Sequence, residues 1–209
     1  MKENMVIVYD EIIDRNVQSV DEINDDEITV IEILKEYIEP VHQEGDIVSI
    51  SEKIIALCQK RTIKRDEIKV GFWAKLLSKF ASHPTTGVGV GEAIKMQYAI
   101  NTVGLWKVMY ASIVSAVTKL FGKKGKFYEI VGQEVSGLDG FYGKVWEEYK
   151  DLGIKIPENP DVVCNEINEK LGIKTMIVDA NDLGQEILGT CKELEGKEET
   201  LKQMIKDNP

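Results

Sequence analysis

The chain has 209 residues, 43% hydrophobic and 30% charged, which predicts a single globular domain spanning 1–209. A net charge of −10 argues against binding bulk nucleic acid, because that task needs a basic face. Cys58, Cys164 and Cys191 are widely spaced without a CxxC, and histidine is limited to His42 and His83. Neither a disulfide framework nor a zinc site is supported, so any metal would be a hard cation held by carboxylates.

The start of the chain has no signal-peptide pattern, and the most apolar stretch, Leu105 to Phe121, is interrupted by Lys107 and Lys119. It is too short to span a bilayer, and the expectation is a cytoplasmic protein. Much of the acidity lies between Asp10 and Glu39, whereas Lys60-Arg61 with Lys64-Arg65, and Lys123-Lys124 with Lys126, form two basic clusters. Each basic cluster reads as a solvated turn or as a contact for an anionic ligand.

In chain order, Met5 to Tyr9 predicts an opening strand, and Asp26 is a fair N-cap for a helix running to about Tyr37. Gly45 to Ile50 is a β-branched apolar run entered through a Glu44-Gly45 turn, the pattern of a buried strand, and a helix over Ser51–Lys60 follows it. Helical spacing of Val70, Trp73, Ala74, Leu77, Phe80 and Ala81 predicts an amphipathic helix over 68–82, with Trp73 and Phe80 in the core. The glycine-rich loop His83–Gly91 is not a dinucleotide fingerprint, since Glu92 follows it and no clear strand precedes it. Ala93, Met96, Ile100 and Val103 give the next helix, closed by Gly104.

Leu105 to Phe121 is apolar on nearly all sides, which predicts a buried helix or a subunit contact. The alternation in Phe127–Val131 predicts a strand leading towards Asp139. Asn159 as cap, Pro160 in the first turn and Asp161 against the dipole mark a helix start, with Val163, Ile167 and Leu171 as its buried stripe. Lys174 to Val178 is a strand delivering Asp179, Asn181 and Asp182, and a charged helix over about 198–206 closes the chain. The fold class expected is mixed α/β, a central mixed sheet flanked by helices.

Three strands therefore end in polar groups: Ser51-Glu52-Lys53, Asp139, and Asp179 with its neighbours. The C-terminal edge of an open sheet is where ligands dock, and a hydroxyl, turn amides and an ammonium suit a phosphate. Brought side by side, Asp139 and Asp179 would hold Mg²⁺ or Mn²⁺ against that phosphate. The bland alternatives stand beside this reading: Ser51 as an N-cap, Lys53 as a solvated side chain, and the aspartates as turn formers.

The order of these motifs resembles the coenzyme F-420 γ-glutamyl ligase family. The matching segments are Gly45–Lys53, Gly137–Asp139, Pro157–Asp161 and Ile177–Gly184. The resemblance implies GTP-dependent amide ligation of L-glutamate to a deazaflavin acceptor, with a divalent metal, in a homodimer. Carried over by position, Ser51, Glu52 and Lys53 would bind nucleotide phosphate, with Lys53 catalytic, and Asp139 and Asp179 would bind metal. Two positions depart from the family pattern: Ala180 stands where the family has a hydroxyl residue, and Tyr142 where it has an asparagine. The chain also stops at Pro209, short of the family's C-terminal segment. The alternative function is a non-catalytic binding or structural homologue that keeps the fold and an anion pocket.

Overall fold

The computed structural model describes residues 5–8, 29–81, 90–123, 125–141, 151–181 and 184–207. The acidic segment around Asp10–Asn24, the Asp26 cap, most of the glycine-rich loop, Tyr142 and Asp182 lie outside those residues. The elements in order are β1 (Met5–Val8), α1 (Val30–Ile33), β2 (Ile47–Ser51), α2 (Glu52–Cys58), β3 (Thr62–Lys64), α3 (Phe72–Ser78) and α4 (Ala93–Val103). After these come α5 (Leu105–Leu120), α6 (Lys126–Val131), α7 (Gln133–Ser136), β4 (Asp139–Gly140) and β5 (Leu152–Ile154). The last are α8 (Pro160–Leu171), β6 (Lys174–Asn181), β7 (Gly184–Thr190) and α9 (Glu198–Asp207). The fold is mixed α/β, and no helix among the described residues is long and apolar enough to cross a membrane.

The chain divides into two compact units, residues 1–61 with 157–209, and residues 62–156. The first holds a four-stranded mixed sheet in the order β1-β2-β6-β7, in which β1, β2 and β6 run parallel and β7 antiparallel. Ile47, Val48, Ser49 and Ile50 are all buried, as a central parallel strand covered on both faces must be. Around them pack Ile33, Leu34 and Ile38 of the first helical stretch, Ile54 and Ile55 of α2, Cys164 and Ile167 of α8, and Leu201 and Ile205 of α9. Helix α1 is capped by Thr29: Thr29 accepts from the Glu32 amide while Glu32 reaches back to the Thr29 amide, a reciprocal cap. That contact holds the Glu32 carboxyl below its ordinary range.

At α8 the capping expectation is corrected. Asn159 is left-handed (φ 47°) and makes no side-chain cap; Pro160 opens the helix. Asp161 Oδ1 instead accepts the Thr190 N–H at 2.9 Å, fastening α8 to β7. A Cβ on Gly189 would fall 2.6 Å from the Asp161 nitrogen, so only glycine permits this approach. The segment leaves and re-enters this unit through one clamp: Gln59 Nε2 donates to the Glu158 carbonyl (2.9 Å), the Glu158 N–H donates to Gln59 Oε1 (2.7 Å), and Arg61 pairs with the Glu158 carboxylate.

The second unit packs helices α3–α7 with a small antiparallel sheet in the order β3-β5-β4. Phe127–Val131 is helical, contrary to the expected strand: Phe127 and Val131, four apart, both enter the core beside Met96, Ala99 and Val108. Gly125 and Gly132, both at positive φ, bracket that single turn-and-a-half. Helix α3 is shorter than expected, and Trp73 and Phe80 are not core; Phe80 is 82% exposed. The apolar helix α5 is not buried within its own unit either, since only Val108 and Ala111 on it are buried.

Candidate functional site

In the first unit, β2 and β6 pair in parallel from Ile47↔Lys174 to Ser51↔Val178. Asp179 thus lies one residue beyond the partner of Ser51, at the same C-terminal edge. The chain turns directly from Ser51 into α2, so Ser51, Glu52 and Lys53 are carried on a rigid strand-to-helix corner. The Ser51 side chain makes no cap hydrogen bond, so the N-cap alternative is not what holds this hydroxyl. Glu52 is 7% exposed, a buried carboxylate at the edge of an apolar sheet, and Lys53 is half-buried. Both engage in interactions within the fold. Two carboxylates, a hydroxyl and an ammonium repel a bare anion more than they attract it, and they suit a phosphate that arrives with its own cation.

Asp179 is also within β6 rather than after it. Residues Asp179–Asn181 continue the strand and pair with β7, Asp179 opposite Glu186 and Asn181 opposite Gly184. The local pattern ends β6 at Val178 and gives no sign of β7; in the fold the aspartate is held by a hairpin ladder rather than by a capping turn.

Asp139 belongs to the other sheet. It opens β4, pairs with Ile154 of β5, and lies in the second unit, whereas Asp179 lies in the first. The expected arrangement of the two aspartates on neighbouring strand ends is therefore corrected. Among the described residues no three His, Cys, Asp or Glu side chains are gathered as a metal site.

What accompanies Asp139 is a residue absent from the expected site. Lys95, in the first turn of α4, is 8% exposed, and its Nζ donates to the Leu138 carbonyl at 2.8 Å. Burial pushes its ammonium down from the ordinary lysine value, while the charges of Asp139 and Glu92 pull it back up. Asp139 is thereby the counter-charge of a buried ammonium, and a divalent cation at the same carboxylate would meet that ammonium's repulsion. The residues present do not fit Asp139 as a metal ligand. One signal was available: a lysine in the first turn opposes the helix dipole, and it interrupts the apolar run Ala93-Ile94-Met96. Beside this pair Phe141 sits at φ 59°, a left-handed aromatic, with the Arg65 guanidinium 5.3 Å from its ring centre.

Cys58 and Cys164 are held as thiols. Burial pushes the Cys58 thiol up to about 11 and the Cys164 thiol up to about 12, far from the thiolate form at neutral pH. Compared with the models of known protein families and with curated proteins, the sequence finds no match.

Proposed function

We propose that the first unit binds a nucleotide phosphate at the shared C-terminal edge of β2 and β6, and that the protein is an amide-forming ligase of the γ-glutamyl type its motifs resemble. The observation that supports this reading is the in-register parallel pair, which brings Ser51-Glu52-Lys53 and Asp179 to one edge. Strand ends at such an edge, with a helix starting beside them, are the usual place for a phosphate.

In this reading an acceptor carboxylate takes the γ-phosphoryl group of GTP, giving an acyl phosphate and GDP. The amine of L-glutamate then attacks the acyl carbon, inorganic phosphate leaves, and a proton is released. Lys53 neutralises charge on the transferred phosphoryl group, and Ser51 donates to a phosphate oxygen. Mg²⁺ or Mn²⁺, when bound, supplies Lewis-acid neutralisation of the phosphates, and Asp179 with Glu52 are the carboxylates suited to it. The setting is the cytoplasm, where GTP and glutamate are at hand.

A binding-only protein is the second reading, favoured by the commitment of Asp139 to Lys95 rather than to a metal. Calorimetric titration with GTP and with ATP, each with Mn²⁺, tests the site. At about 100 times Kd a bound nucleotide adds about 2.7 kcal/mol of stability, visible as a raised Tm. Lys53→Ala should weaken binding at least about tenfold, near 1.4 kcal/mol. Nucleotide binding without GDP release in the presence of glutamate and a deazaflavin acceptor selects the second reading, and no binding of either nucleotide sinks both.

A further inference from the structure

Helix α5 turns one face inward, with Val108 and Ala111 fully buried, and packs against α4 and α6. On its opposite face Trp106, Tyr110, Ile113, Val117 and Leu120 follow one another at alternating spacings of four and three residues. All five are exposed, Trp106 at 81% and Leu120 at 86%. Alternating steps of four and three are the period of a helix seam that faces another helix, not of a face meant for water.

The amount of surface is a second, separate argument. The five side chains offer on the order of 700 Å², whereas the largest apolar patch of an ordinary monomer is about 300–600 Å². A standard interface buries about 800 Å² per partner, so this stripe nearly suffices by itself. Its layout is close to self-complementary as well. Ile113 is central, Trp106 and Leu120 lie seven residues to either side, and Tyr110 and Val117 lie three and four residues away. The only charges on α5 are Lys107 and Lys119, both off the stripe, so self-pairing draws no charge into the seam.

We propose that α5 is the self-association surface of this protein, pairing antiparallel with the same helix of a second copy about a two-fold axis at Ile113. Trp106 then packs on the partner subunit's Leu120, Tyr110 on the partner subunit's Val117, and Ile113 on its own equivalent. The pairing rests on α5 alone and is independent of the ligase reading.

Sedimentation velocity of the full chain across the micromolar range should give twice the chain mass of 23.5 kDa. Ile113→Asp should halve that mass and leave the circular dichroism spectrum unchanged, since the residue is exposed. Trp106→Cys mixed with Leu120→Cys should form an intermolecular disulfide that neither variant forms alone. The native thiols give little background, because Cys164 and Cys191 are buried and Cys58 is largely so. A monomeric wild type, a dimer that survives Ile113→Asp, or Trp106→Cys cross-linking to itself each overturns the proposal. So does co-sedimentation with anionic vesicles without self-association, which would make the stripe a lipid contact.

Discussion

Helices α8 and α5 are built alike and finished differently. Each turns a narrow stripe inward, Cys164 and Ile167 on α8, Val108 and Ala111 on α5. The outer face of α8 is closed by charge: Glu166 and Lys170 pair at 2.5 Å, Glu169 is exposed beside them, and Val162 is the only large apolar residue left out. The outer face of α5 is apolar along its whole length. An amphipathic pattern tells which faces of a helix are apolar; it does not tell whether the same chain covers them. The first helix closes its outer face with its own charges, and the second leaves its outer face exposed.

The largest break in this comparison comes from the inner faces. Ile167→Ala should cost about 2–5 kcal/mol in urea denaturation, because a fully buried side chain leaves a cavity. Ile113→Ala, on the outer face of α5, should cost the isolated chain less than about 0.5 kcal/mol. Equal losses at both sites would mean that α5 has no outer face.

The attachment of α8 is worth less than its core. Asp161→Ala removes the acceptor of the Thr190 N–H; Asp161 is exposed but Thr190 is buried, and a loss of about 1–3 kcal/mol is expected. Asp161→Asn, which keeps an acceptor oxygen, should recover most of it. If the two variants are equally unstable, the hydrogen bond is not what joins α8 to β7.

The smallest effect is a pH dependence, and it comes from charge on an inner face. Lys170, the one lysine of α8, is exposed, whereas Lys95 of α4 is buried. Its folded-state pKa is lowered by burial, so the unfolded chain binds the proton more tightly than the folded one does. Below the lowered value both states are protonated and the ammonium destabilises the fold. As pH rises from that value towards the ordinary 10.5, the folded state sheds the proton first and stability is gained. Wild type should therefore gain on Lys95→Met as the solution becomes alkaline. A stability difference that stays flat over that range would place the ammonium in a water-like setting.

Much of the first unit was legible because its signals are local. The β-branched run before Ser51, the Pro160 start with its Gly172 stop, and the charged final helix each match the elements found. The strand β7 was hidden because Gln185-Glu186-Ile187-Leu188 carries no clean alternation, and its place depends on pairing with β6. Phe127–Val131 failed for the opposite reason: five residues satisfy both periods, and only the glycines at either end and the packing of Phe127 with Val131 decide. At the candidate site the Ser51–Lys53 corner could be read from sequence, whereas the separation of Asp139 from Asp179 into different sheets could not. Strand order is a long-range property, and local pattern does not record it.

The clamp of Gln59 and Arg61 on Glu158 closes a long excursion, and this has a consequence for the order of events at the ribosome. Strand β2 has β1 on one side from the start, but it finds its other neighbour, β6, only when Lys174 and the residues after it have emerged, since Ile47 pairs with Lys174. The intervening unit, residues 62–156, is by then fully outside the exit tunnel and contains its own cores. Vectorial synthesis thus favours the inserted unit as the earlier folder, with the parallel sheet sealing last, when the two ends of the excursion are brought together.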